Sequence, residues 1–180
     1  MPYPVNSIAD YIVLYTKELG NSVNNLKLQK ILYYLEARFL IETEESLFDE
    51  RIEKWRYGPV IPEVYYRFNH LGAEDIDQIP QTFDFMTLLN RDFILESSSQ
   101  LESSSFSEAF SSNHKILIDD TIVKLNKLNP FSLVDETHKH NSWEKDEDRI
   151  LAGERHIEYD RTEIREDFIN NPDYALWLDN

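Results

Sequence analysis

The strongest hydrophobic pattern in the chain runs from Leu26 to Leu40, LKLQKILYYLEARFL. Wound at about 100° per residue, Leu28, Ile31, Leu32, Leu35 and Phe39 fall on one side, and Leu26, Tyr33, Ala37 and Leu40 fall nearly opposite. A surface helix carries one apolar stripe, so two stripes predict a central helix with neighbours packed on both flanks. Asn24 or Asn25 is placed to cap its first amides. Lys27, Gln29, Lys30, Glu36 and Arg38 occupy the strips between the apolar sides. At Lys27, Gln29 and Lys30 those strips have two readings. They are a solvated face, or they are the accessible edge of an otherwise buried helix, where a partner could be read.

The remaining pattern predicts mostly helices. Ile8, Tyr11, Ile12, Tyr15 and Leu19 mark a first helix, with Ser7 and Asp10 placed as a capping box and Gly20 just past its end. From Leu47 to Tyr57 the helical period is lost, which predicts an extended segment or hairpin arm before a turn at Gly58-Pro59. Pro62 is placed at the first position of a third helix carrying Val64, Tyr65, Phe68 and Leu71. Alternating residues between Phe83 and Leu95 predict a β-hairpin turning near Asn90-Arg91. The Ser-rich run that follows predicts a loop with one docked turn at Phe106, Ala109 and Phe110. A helix from Asn113 carries Leu117, Ile118, Ile122 and Leu125 and stops at Asn129-Pro130, followed by a short helix from Ser132 through Glu136. The charged stretch Glu144 to Arg161 is expected to cover the surface. Asp160 and Glu163 then cap a last helix, and the apolar tail at Tyr174, Leu176 and Trp177 is expected to dock on the core or on a partner. The fold class expected is mainly α: a single-domain helical bundle around a central buried helix, with a small β-hairpin element.

Charge narrows the partners. The 180 residues hold 34 acidic and 18 basic side chains, a formal net charge of -16, which repels a phosphate backbone and attracts a basic protein. Direct nucleic-acid binding is not expected. The absence of cysteine removes disulfides and thiolate metal sites. No stretch reaches the ~20 apolar residues of a membrane span, and the N-terminus lacks a signal-peptide pattern, so the expected location is the cytoplasm.

Candidate chemistry is sparse. No nucleotide-binding glycine motif, nucleophile elbow or zinc-protease motif is present. His138 and His140 with Asp135 suggest a metal, but spacing identifies no further ligand, and no metal or cofactor is expected. Thr137 beside His138 suggests a small hydrolase with a hydroxyl nucleophile and a His base. The competing reading is a capping Thr and a core His packed beside Trp143, and adjacent side chains seldom converge as a nucleophile and base must. Trp55, Tyr57, Gly58 and Pro59 form the most unusual local cluster. It is either a partner hot spot flanked by Arg56, or a pair of core aromatics next to a stiffened turn.

Three segments together carry a family resemblance. LKLQKILYY at Leu26 to Tyr34, EKWRYGPVIPEVY at Glu53 to Tyr65, and LVDETH followed by Trp143 resemble the Panacea antitoxin-domain family, which includes phage-associated proteins. The resemblance implies one mainly helical domain over residues 1–180, with an insertion at about 76–112. It implies an antitoxin-like module that neutralises a co-encoded toxin by contact, with neither catalysis nor cofactor. The expected partner-binding residues are Lys27, Gln29, Lys30, Trp55, Tyr57, Gly58, Pro59, Thr137, His138 and Trp143. Two features depart from the family pattern: Ser142 stands where a Pro precedes the last Trp, and Phe83 to Ser112 has no counterpart. The alternatives are a regulatory adaptor that delivers a partner protein to a protease, and the hydrolase built on Thr137 and His138.

Overall fold

The structure is a computed structural model that describes residues 2–79, 103 and 109–178. Within them lie α1 (Val5–Glu18), α2 (Asn25–Glu42), β1 (Glu53–Trp55), β2 (Gly58–Val60), α3 (Pro62–Phe68), α4 (Ser112–Asn126), α5 (Pro130–His138), α6 (Asn141–Glu144), α7 (Glu147–Leu151) and α8 (Arg161–Asn170). Short 3₁₀ turns follow α3 at Asn69–Leu71 and α8 at Pro172–Tyr174. Among the described residues the fold is mostly helical with one small antiparallel hairpin, the fold class that the hydrophobic pattern predicts. The β-hairpin expected between Phe83 and Leu95, the turn at Phe106 and most of the insertion at 76–112 lie outside the described residues. Among the described residues, no helix is long and apolar enough to cross a membrane.

Helix α2 is the axis. Asn24 caps it by accepting from the Lys27 amide at 2.9 Å. α1, α3, α4, α5, α8 and strand β2 pack around it. Enclosure on all sides overturns one expectation: Lys27, Gln29, Lys30 and Glu36 are each buried, so the polar strips are not an exposed edge. Each polar head instead finds a partner inside, as burial requires. Lys27 Nζ donates to the Asn126 carbonyl at the end of α4. Glu36 accepts from Arg161 Nε at 2.7 Å and from the Leu47 amide at 2.8 Å.

Other elements differ from the sequence pattern in instructive ways. α1 begins at Val5 after Pro4, so Asp10 is not a cap; it lies inside against Arg67 Nη2 at 2.8 Å. Asn129 and Pro130 begin a helix rather than only ending one, because Asn129 Oδ1 accepts from the Phe131 amide and Pro130 needs no amide partner in the first turn. α5 therefore extends beyond Ser132–Glu136 at both ends. The charged stretch after Glu144 does more than cover the surface. It buries Ile150, Ile157 and Tyr159, and the Lys54 amide donates to the Ile157 carbonyl at 2.7 Å. The expected cap of the last helix is present: Asp160 Oδ1 accepts from the Thr162 and Glu163 amides. Trp177 docks on the core and is 3% exposed.

Candidate functional site

Side chains from α2, α5 and α6 converge on the β1–β2 hairpin and hold its backbone. β1 and β2 pair in the register Glu53 to Val60 and Trp55 to Gly58, leaving Arg56 and Tyr57 at the turn. Three backbone groups of this segment are satisfied from elsewhere in the chain. Trp143 Nε1 donates to the Trp55 carbonyl at 3.0 Å, Lys30 Nζ donates to the Pro59 carbonyl at 3.0 Å, and Gln29 Oε1 accepts from the Ile61 amide at 2.8 Å. Gln29 is itself fixed, since its Nε2 donates to Asn25 Oδ1 at 3.0 Å. Lys54 anchors the other strand to Asp146 Oδ2 at 2.6 Å.

Gly58 is the point of closest approach. Its φ of +88° lies in the region that favours glycine, and a Cβ there would sit 2.5 Å from Thr137 Oγ1 and 3.1 Å from Lys30 Cε. Glycine is needed at this position both for the turn and for the contact. Thr137 is wholly buried, and its hydroxyl donates to the Val134 carbonyl at 2.9 Å.

The electrostatics of the corner are set by burial. Desolvation alone brings the Lys30 amine from 10.5 down to about 7. The half-buried His138 ring stacks on Trp143 at 3.8 Å and 11°. Desolvation and then the Lys30 charge lower the His138 pKa, against the opposing influence of the Arg56 backbone, Glu147 and Asp135. His138 is therefore neutral near pH 7.

This arrangement does not form the nucleophile and base of a hydrolase. The Thr137 hydroxyl is shut off from solvent and committed to a carbonyl, and His138 faces Trp143. His138 and His140 also part company: His140 Nδ1 is 3.0 Å from the Tyr33 hydroxyl, deep in the core. Among the described residues, no group of three His, Cys, Asp or Glu side chains could hold a metal.

Of the ten residues expected to meet a partner, Lys27, Gln29, Lys30, Gly58, Pro59, Thr137 and Trp143 are buried. Trp55 and His138 are half-buried, and Tyr57 is 55% exposed. Apart from Lys27, which reaches α4, these residues come together at one corner. Glu147, whose charge acts on His138, was not singled out from the sequence, and neither was Phe131, about one and two turns before Asp135 and His138 on α5. For Phe131 the spacing to Asp135 and His138 was an available signal, hidden by placing the start of α5 after it.

The family of the "Antitoxin SocA-like, Panacea domain" matches residues 28–144. These residues include the hairpin and nearly all the side chains that hold it. Antitoxin SocA of Caulobacter vibrioides (strain NA1000 / CB15N) is 34% identical over 70 residues. That match covers 39% of this chain and 37% of the relative, so little more than a third of the relative's length is represented. No solved structure matches the chain. A family of antitoxins points to a non-catalytic role and, in general, to a toxin protein as partner. The chain belongs to the SocA-like antitoxin family that carries the Panacea domain.

Proposed function

We propose that this chain neutralises a co-encoded toxin by direct contact and blocks the toxin's active surface. The observation that carries this reading is the division of labour at the hairpin. Buried side chains hold three backbone groups, while Arg56 and Tyr57 stand outward on the turn they fix. A rigid backbone presenting an exposed Tyr is how interface anchors are commonly displayed, because little entropy is lost when the partner binds. Lys30, Gln29, Gly58, Thr137 and Trp143 act as the support of that surface, and Tyr57, with Trp55 and His138 beside it, as the contact. Residues 1–180 act as one domain in this reading, and the insertion at about 76–112 contributes to partner choice.

Co-expression tests the proposal. The product of the adjacent reading frame should arrest growth alone and lose its toxicity when this chain is present, with the two proteins purifying as a stable complex. A neighbour that is harmless alone, or toxic in the presence of this chain, removes the reading. Rescue with faster loss of the neighbour and no stable complex would assign delivery to a protease instead.

A further inference from the structure

The toxin contact proposed above leaves the chemistry of the partner open, and one side of α5 narrows it. Phe131, Asp135 and His138 are spaced i, i+4 and i+7, which aligns them along that side. Phe131 is 62% exposed and Asp135 is exposed. The backbone of Arg56 faces the His138 imidazole, so this side of α5 continues into the turn that carries Tyr57. Asp135 from α5 and the exposed Glu147 from α7 both bring negative charge to His138. Neither carboxylate is within ion-pair distance of a cation among the described residues; the nearby Lys139, which also feels the Asp135 charge, is paired with Glu136 at 2.7 Å.

The surface thus offers aromatic faces next to unpaired carboxylates, on a chain of net charge -16. A guanidinium suits both, since it stacks on rings and bonds carboxylates through a planar fork. We infer that the face formed by Tyr57, Phe131 and His138, flanked by Asp135 and Glu147, docks a basic, arginine-bearing segment of a partner protein. For the identity of that protein the inference rests on the toxin-binding reading; the location and sign of the face do not depend on it. Arg56, exposed on the turn, has the opposite sign to the carboxylates. It opposes a basic ligand, so its removal strengthens docking.

The test follows amide chemical shifts of the labelled protein during addition of a synthetic Arg- and Leu-rich peptide, or of a Glu- and Leu-rich peptide of equal length. The basic peptide should move Tyr57, Phe131, Asp135 and His138 first, and the acidic peptide should move none of them. The double substitution Asp135→Lys/Glu147→Lys should weaken the basic peptide by about tenfold or more. Glu74→Lys/Asp173→Lys, at exposed acidic positions elsewhere, should leave its affinity unchanged, and Arg56→Gln should tighten it. Shifts spread evenly over every acidic surface, or a charge reversal without effect, overturn the inference. The co-encoded protein separates the two readings. If the wild type fails to bind it, the toxin reading falls; if the wild type and Asp135→Lys/Glu147→Lys bind it equally well, only the basic-ligand face falls.

Discussion

His138 and His140 are separated by one residue, yet they mark two corners built on different terms. At the His138 corner the imidazole is half-buried and stacked on Trp143, beside an exposed Tyr57 and unpaired carboxylates. At the His140 corner the ring is 1% exposed, bonded to Tyr33, and set 4.4 Å from Tyr174 and 4.9 Å from Phe168. The residue types are nearly the same in both. What differs is the later chain: α8 and the tail return over His140 and seal it with Phe168 and Tyr174, whereas no described element returns over Tyr57 and Phe131. Aromatic and histidine content does not distinguish an interface from a core. The path of distant segments does.

The largest test of that contrast is acid. Burial holds the His140 imidazole at about 3, against an ordinary 6.5. Between those values the unfolded chain binds a proton that the folded chain does not, so stability falls as pH is lowered from 6.5 toward 3. The full shift corresponds to roughly 4–5 kcal/mol. Asp10 acts in the opposite direction over a narrower window. Its carboxyl is raised from 3.8 to about 6, so the folded chain holds the extra proton there and gains stability as pH falls from 6 to 3.8. The two cancel between pH 6 and 3.8, so the His140 contribution is read as a difference: relative to His140→Phe, the wild-type urea midpoint should fall progressively from pH 6.5 toward 3. His138→Phe should change the pH dependence much less. Equal effects would mean that the two corners are not different in kind.

Gly58→Ala comes next and probes the other corner. It places a non-glycine residue at φ +88° and a methyl 2.5 Å from Thr137 Oγ1, with an expected cost of about 2–4 kcal/mol. Thr137→Ala removes the obstructing oxygen. In a double-mutant cycle the pair should cost less than the sum of the two single variants, read from denaturant midpoints. Strict additivity would place the strain in the backbone angle alone.

How far the sequence reveals these corners depends on the range of the interactions. Local signals were sufficient for the two-sided pattern of α2, the Asn24 and Asp160 caps, Pro62 at the start of α3 and the break at Gly58. The burial of Lys27, Gln29 and Lys30 was not legible, because their partners at Asn126, Ile61 and Pro59 lie up to 99 residues away. A polar residue between apolar stripes looks solvated until the backbone group it satisfies is known. The motif residues at Gly58, Thr137 and Trp143 could be grouped by resemblance, but their role as supports follows only from the contacts.

Lys30 yields a smaller effect at neutral pH, with a pH dependence of distinctive sign. Its amine is lowered to about 7, so from there toward 10.5 the unfolded chain keeps a proton that the folded chain has released, and stability rises with pH. Lys30→Met abolishes that rise. It loses the bond to Pro59 but no longer buries a charge, so near neutral pH its stability should lie within about 1 kcal/mol of wild type or above it. Thermal melts at neutral and alkaline pH measure both. A stability gain accompanied by weaker toxin binding would show that Lys30 is kept for the geometry of the turn rather than for the strength of the fold.

The smallest effect on stability belongs to Tyr57, and there the two corners separate most cleanly. With 55% of its surface in solvent, Tyr57→Ala should cost less than about 0.5 kcal/mol in unfolding. If the turn is a contact surface, the same substitution should weaken toxin binding at least about tenfold, as the loss of a central aromatic anchor does. Gly58→Ala should damage both quantities together, because it deforms the support, and His140→Phe should leave neutral-pH binding intact. Calorimetry for affinity and urea unfolding for stability, run on the same three variants, place each residue as support, contact or core. A Tyr57→Ala variant that unfolds easily would make the turn part of the core, and one that is stable and binds fully would move the contact to another face.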